Sequence, residues 1–415
     1  MKKINYNYSG QSIVTALKTG RRLRIRNFFF FIVFSAGAIC CHAQAPAEGF
    51  VFVDSNGNGT KDENERGVKG VTVSDQVNVT VTDNAGHYKI TATGGNGFIM
   101  ISVPDGFKTT TNFWVKQDTG LGKLDFPLTG LPPATSFRFV HASDTHISEK
   151  SVNRMEKFRA KLDSIKPDLV LITGDLVRDA LRVSEQEASS YYKLFKVEAG
   201  KIKSPVWVVP GNHEIFGIER HLSLVSKDNP LYGRKMYQSF FGPDYYSFNY
   251  GGIHFVGLNS LEFDDLFYYG SIDSVQREWL KRDLSVLPAS MPVVTFQHVP
   301  FLTGGLSLEP FEEDGPGRTL ERERGKLKFR HVVSNAYDVI ALLLTHPYPL
   351  ALAGHYHSRQ LFFLETLGQQ IRFEQTAAIV SPTEAGIFRM SSGFTLYQVK
   401  NGKIDAGTFV HLNEK

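Results

Sequence analysis

The chain carries two textures of apolar and polar residues. Between about residue 48 and residue 128 the apolar positions come in short runs, as in Phe50-Val51-Phe52-Val53, Val71-Thr72-Val73, Val77-Asn78-Val79-Thr80-Val81 and Tyr88-Lys89-Ile90. Turn residues such as Asp83-Asn84-Ala85-Gly86 separate them. Short runs at this spacing, several of them alternating, predict a small all-β sandwich. Leu131-Pro132-Pro133 then reads as a linker, because paired prolines resist both helix and ladder. Beyond it, runs such as Phe137-Arg138-Phe139-Val140 and Leu169-Val170-Leu171-Ile172 predict strands of an α/β unit, and residues 333–344 read as a helix. The expected organisation is a leader over residues 1–45, a β domain over 46–130 and an α/β domain over 136–415.

Chemistry gathers directly behind the strand-like runs of the larger unit. Five clusters stand there: Asp144-Thr145-His146, Gly174-Asp175, Gly211-Asn212-His213-Glu214, His298, and Gly354-His355-Tyr356-His357. Open α/β sheets bind ligands at the carboxyl ends of their strands, so these distant residues are expected to share one cleft. Their side chains offer carboxylate, amide and imidazole but no thiolate. That set suits Mn, Fe or Zn in a hydrolytic centre better than a sulfur-rich structural zinc. The plain alternative, loop-capping Asp and Asn with packed core His, must account for every cluster separately.

The order, spacing and flanks of these clusters resemble the calcineurin-like metallophosphoesterases over residues 137–415. The resemblance implies a four-layer α/β/β/α sandwich behind the small all-β sandwich. It implies a binuclear site in which Asp144, His146 and His357 hold one metal, Asn212, His298 and His355 hold the other, and Asp175 bridges them. The implied reaction is hydrolysis of a phosphomonoester or phosphodiester by a metal-bridging hydroxide, with His213 as the general acid. Two cations neutralise the phosphoryl charge and acidify a shared water. The Asp144 and Gly211 clusters lean towards the phosphodiesterase-like bacterial branch, including class III cyclic-nucleotide phosphodiesterases. The sequence departs from the protein serine/threonine phosphatases at Arg178, where they carry a carboxylate that orients the general acid. Asp179 is the candidate substitute, and Arg178 a candidate phosphate contact. The residues from 48 to 128 resemble the N-terminal module of bacterial members and related immunoglobulin-like repeats.

Composition adds compartment and partners. The chain is +4 overall, but Lys2, Lys3, Lys18, Arg21, Arg22, Arg24 and Arg26 stand in residues 1–45 without an acid, leaving −3 on the remainder. The basic balance therefore gives no support for a nucleic-acid partner, and a small phosphoester substrate is expected instead. The basic stretch precedes Phe28-Phe29-Phe30-Phe31-Ile32-Val33-Phe34 and ends at Cys41-His42-Ala43-Gln44-Ala45. This order reads as a secretory signal, too short to span as a stable anchor. The expected location is periplasmic or extracellular. Both cysteines, Cys40 and Cys41, lie within it.

Asp54-Ser55-Asn56-Gly57-Asn58-Gly59, with Glu65 in twelfth place, matches a calcium loop. Asp54, Asn56 and Asn58 would give side-chain oxygens, Thr60 a carbonyl, Asp62 a water-mediated contact and Glu65 a bidentate carboxylate. A polar turn between strands is the competing reading. His141 and His254 fall in strand-like runs and read as core. His331 and His346 stay open between the site and a helix. Glu321-Arg322-Glu323-Arg324 reads as a solvated helix face or loop. The segment 301–330, long and charged, is expected to hang over the metals, with Arg318, Arg322 and Arg324 toward a substrate's anionic groups and Phe301 and Leu302 toward an apolar part. Two rival functions remain: an exported nuclease, and a surface adhesion module with an inactive metal domain.

Overall fold

A computed structural model describes residues 46–91, 97–117, 124–308, 311–314, 318–366, 368–380, 382–385 and 388–412. The leader over residues 1–45, with both cysteines, lies outside the described residues. No described helix is long and apolar enough to cross a membrane.

Two six-stranded mixed sheets form the body. In the first, Val206–Val209, Leu169–Thr173 and Ser136–Ala142 run parallel, and Gly393–Lys400 closes antiparallel on Ser136–Ala142. In the second, Ile253–Leu258, Val293–Gln297, Leu350–Ala353 and Gln369–Gln375 run parallel, flanked by the antiparallel Tyr246–Tyr250 and Gln360–Thr366.

Strand alternation sorts the layers. Phe137, Phe139, Leu169 and Leu171 of the first sheet share one buried cluster with Phe255, Val294 and Phe296 of the second. Phe139 stacks on Tyr397 at 4.6 Å and meets Phe255 edge-on at 5.7 Å. The alternate residues Val140, Ala142, Val170 and Ile172 join a second cluster with Met155, Phe158 and Leu162 of helix Val152–Ile165 and Tyr192 and Phe195 of helix Glu185–Ala199. On the far side, Trp279, Leu280 and Leu284 of helix Ser274–Ser285 and Val339 and Leu343 of helix Ala336–Leu343 belong to the second sheet's core. The order is therefore helix, sheet, sheet, helix. Helix spacing explains which faces turn inward, since Met155, Phe158 and Leu162 fall three and four apart. Asp273 starts its helix by accepting from the Gln276 N–H, worth about 0.5–2 kcal/mol. Phe139→Ala would empty the seam between the sheets and cost about 3–5 kcal/mol.

The N-terminal region is strand-rich. Its two four-stranded sheets are His87–Ile90, Ala47–Val53, Phe126–Gly130 and Phe107–Thr109, and Val79–Val81, Thr72–Ser74, Phe98–Ile101 and Trp114–Lys116. It docks on the body through buried polar contacts. The Gln76 amide, fully buried, donates to the Tyr245 carbonyl at 3.0 Å, and the Tyr245 hydroxyl returns a bond to the Gln76 carbonyl at 2.6 Å. Phe113 packs on Trp207 and Tyr246. Burial makes these bonds costly to break, because each lost partner leaves a dry polar group.

Two expectations for local structure need correction. Residues 320–323 form a strand, Leu320–Glu323, paired with Lys326–Phe329 through a turn at Arg324-Gly325, and not a helix face or loop. The run predicted as a helix over 333–344 is helical only over Ala336–Leu343.

Candidate metal centre

Every candidate ligand lies just beyond the carboxyl end of a parallel strand, six of them in loops and Asn212 at the start of the 3-10 helix Asn212–Glu214. Neighbouring loops extend the ladder. The Asp144 N–H donates to the Gly174 carbonyl at 3.1 Å, and the His146 N–H to the Asp175 carbonyl at 2.9 Å. Asp144, His146, Asp175, His355 and His357 all take positive φ, between 37° and 76°. A left-handed residue bearing a side chain costs about 1–2 kcal/mol. Asp and His tolerate it better than branched residues do. The bends turn successive side chains toward one point. Close backbone approach does the rest. A Cβ on Gly211 would sit 2.2 Å from Asp175 Oδ1, and one on Gly354 would sit 1.8 Å from Ser143 Oγ.

Two groups of ligand-type atoms result: Asp144, His146, Asp175 and His357, and Asp175, His298 and His355. In the first, His146 Nε2 faces His357 Nε2 at 3.0 Å, and Asp144 Oδ1 lies 3.2 Å from His357 Nε2. In the second, His298 Nε2 faces His355 Nδ1 at 3.1 Å and Asn212 Oδ1 at 3.1 Å. Asp175 belongs to both. Its Oδ2 lies 3.5 Å from His146 Nε2 and its Oδ1 lies 3.3 Å from His298 Nε2.

The protons test whether a metal fits. His298 donates its Nδ1–H to the Thr173 carbonyl at 2.8 Å, so in the neutral ring Nε2 is a bare lone pair. That lone pair faces an amide oxygen and a carboxylate oxygen. Three acceptors meeting in a buried site need a positive charge between them. Burial opposes a proton on His298, but Asp175 and Asp144 outweigh it and hold the imidazole up at about 9. A divalent cation meets the same demand. Burial likewise opposes charge on Asp144 and Asp175, yet the surrounding histidines hold both carboxyls well below their ordinary range. The donor set fits divalent metal ions.

His213 stands beside the two groups. Its ring meets His146 edge-on at 4.6 Å, and its Nε2 lies 3.9 Å from Asp175 Oδ2. Its Nδ1 lies 2.5 Å from the Arg178 carbonyl, which can only accept. Nδ1 therefore carries a proton. Asp179 does not orient this ring. Its carboxylate accepts from the Leu181 and Arg182 N–H groups and pairs with the Arg182 guanidinium. Arg178, by contrast, is among the residues that line the cleft.

The cleft encloses about 760 Å³ and is lined by His146, His213, His357, Lys150, Arg178 and Tyr268 among others. No described residue from 301–330 lines it. Phe301 is core, Arg318 lies 3.7 Å over the Phe267 ring, and Arg322 pairs with Glu313. The expectation that this segment presents arginines to substrate is corrected accordingly.

Three residues had no role from sequence. Glu214 ties two loops together by accepting from the Val177 and Gly211 N–H groups, at 2.9 and 2.6 Å. Burial, with Asp175 adding to it, pushes its carboxyl up to about 8. Tyr268 forms a wall, and its signal was the aromatic run Phe267-Tyr268-Tyr269. His331 touches His355 and belongs to no motif. His141 and His254 are fully buried, as expected, and His346 bonds to Thr345 away from the cleft.

In the N-terminal loop, Asp54 accepts from the Gly57 and Gly59 N–H groups, and Glu65 from those of Ser55 and Asp62. Asn56 accepts from the Asn58 N–H, Asn58 from that of Thr60, and both amides donate to Asp62.

Comparison with known proteins agrees with this geometry. Residues 137–359, more than half of the chain, match the model of the calcineurin-like phosphoesterase family, and residues 55–126 match that of the N terminal of calcineurin-like phosphoesterase. A probable glycerophosphodiester phosphodiesterase from Arcobacter nitrofigilis is 26% identical over 189 residues, 40% of this chain. The match spans 58% of that relative's length. Among solved structures, a dimetal phosphatase from Danio rerio aligns with a TM-score of 0.45 at 14% identity, over 67% of this chain and 97% of its own. GAP50, the anchor in the inner membrane complex of Plasmodium, aligns at 0.43 and 14%, over 68% of this chain and 86% of its own. The family match covers the strand ends that carry all seven candidate ligands, and the chain belongs to the calcineurin-like phosphoesterases.

Proposed function

We propose that the protein hydrolyses a small phosphodiester with two divalent transition metals, Mn, Fe or Zn, bound side by side. The observation that carries this reading is Asp175, one carboxylate with an oxygen toward each ligand group. Asp144, His146 and His357 would hold one ion, and Asn212, His298 and His355 the other. Bound there, the ions would neutralise the phosphoryl charge and acidify the attacking water.

The chain's own residues supply the rest. His213 keeps Nδ1–H on the Arg178 carbonyl, so only its imidazolium form carries a second proton, on Nε2, to pass to the leaving oxygen, and burial, which lowers the ring's pKa, limits the share of that form. Arg178 and Lys150 meet the ester's anionic oxygens from the rim. Tyr268 lines the same cleft. The cleft volume supports a small-molecule substrate, in the usual range of ligand pockets. The diester preference draws on the name of the Arcobacter relative. Metal-reconstituted protein assayed on p-nitrophenyl phosphate and its bis-ester tests the reading. Faster turnover of the bis-ester, abolished by a chelator, is expected. Equal rates with and without chelator would overturn it.

The same reading assigns calcium to the loop over residues 54–65, where six oxygen-bearing side chains follow the spacing of a calcium loop. Export through the leader over residues 1–45 belongs to it as well.

A further inference from the structure

We propose that His331 is a positioning residue for the metal ligand His355, held beside it by the neighbouring hairpin. This inference rests on the binuclear reading above. His331 Nδ1 lies 2.6 Å from His355 Nε2, and the two rings meet edge to edge, with centroids 4.9 Å apart and planes at 28°. Two imidazole nitrogens at that distance share one proton, so one donates and the other accepts. The other end of His355 decides which. Its Nδ1 faces His298 Nε2 at 3.1 Å, within the second ligand group, and must be bare to hold a metal there. The one proton of the neutral ring is then on Nε2, which donates to His331 Nδ1. His331 in turn presents a lone pair at Nδ1 and carries its proton on Nε2. A residue outside the ligand set thus fixes which nitrogen of His355 is offered to a metal.

The hairpin around His331 is built to hold this arrangement. The Arg330 N–H donates to the Thr319 carbonyl at 2.8 Å, which brings the start and end of the hairpin together and sets Arg318 beside His331. Glu321 pairs with Arg318 at 3.2 Å and with Arg330 at 3.4 Å. The two guanidinium groups lie over Phe267 and Tyr268, at 3.7 and 4.3 Å from the ring centres. Strand Phe267–Gly270 thus fixes the hairpin, and the hairpin fixes His331. The charged segment after His298 acts on the second ligand group from behind instead of reaching over it.

Two amide substitutions separate the roles of the two ring nitrogens. Asn places an acceptor where Nδ1 stands; Gln reaches the Nε2 position but leaves Nδ1's place empty. Metal-depleted full-length protein is titrated with zinc against a chromophoric chelator. The wild type should take up two ions. His331→Gln should weaken one of them by about 10–100-fold and leave the other unchanged, and His331→Asn should recover most of the loss. Long-range ¹H–¹⁵N spectra of the metal-depleted wild type should show His331 protonated at Nε2, a measurement that needs no variant to fold. Two unchanged zinc affinities in His331→Gln, or a proton on His331 Nδ1, would overturn the proposal. A wild type that takes up fewer than two ions would overturn the binuclear reading beneath it.

Discussion

The cleft and the loop over residues 54–65 are both rich in oxygen ligands, yet they are built in opposite ways. The loop is one contiguous stretch whose Asp54, Asn56, Asn58 and Glu65 oxygens accept from the loop's own N–H groups. It is satisfied without outside help. In the cleft, the candidate ligands come from five strand ends, and His298 Nε2, Asn212 Oδ1 and Asp175 Oδ1 converge where only a proton on His298 or a metal ion supplies the positive charge. Five of the candidate ligands also hold strained left-handed backbone. A local turn can exist for its own sake. A strained meeting of acceptors from distant strands calls for a cation, and that contrast is why the cleft carries the functional reading.

The sharpest way to break the comparison is Asp175→Ala. Both ligand groups lose an oxygen at once, so metal content should fall from two ions toward none and hydrolysis to background. Elemental analysis after Mn or Zn loading reads the first, and ester assays the second. Next in size is His213→Ala. It should keep both metals and lower turnover by about 10²–10⁴-fold, with a smaller loss for esters that have good leaving groups. Loss of metal in that variant would mean that His213 is a ligand.

A third test uses the proton on His298. Burial opposes that proton, but Asp175 and Asp144 hold the ring up at about 9, so near neutrality a metal must displace it. Zinc affinity should weaken by about tenfold for each pH unit lowered between 9 and 7, with proton release seen by calorimetry in two buffers. Affinity independent of pH in that window would contradict a protonated His298. The smallest effect belongs to the loop. Millimolar calcium should raise the melting temperature of the full chain by a few degrees, about 1 kcal/mol of stabilisation, and Glu65→Ala should remove the shift. An equal shift in that variant would leave the loop as a polar turn.

Much of the fold was legible in sequence because strand ends and ligand clusters coincide. Apolar runs placed Ser136–Ala142 and Leu169–Thr173, and the clusters behind them come together in one cleft. What stayed hidden was the backbone. The Thr173 and Arg178 carbonyls decide which nitrogen of His298 and His213 carries a proton, and a carbonyl has no letter in the sequence. Asp179 was misassigned for a related reason. A carboxylate two residues from free N–H groups satisfies itself locally before it reaches a distant ring. Glu321-Arg322-Glu323-Arg324 looked like a solvated face because both alternating sets are charged. Its period of two, closed by Arg324-Gly325, was the signal for a hairpin.

The most direct test of the central claim is a metal count on wild-type protein and Asp175→Ala, loaded and dialysed side by side, with hydrolysis of the bis-p-nitrophenyl ester followed in each. Two ions per wild-type chain with hydrolysis, and the loss of both in the variant, is the expected result. A variant that keeps two ions and its activity would contradict a bridging Asp175 and the binuclear centre built on it.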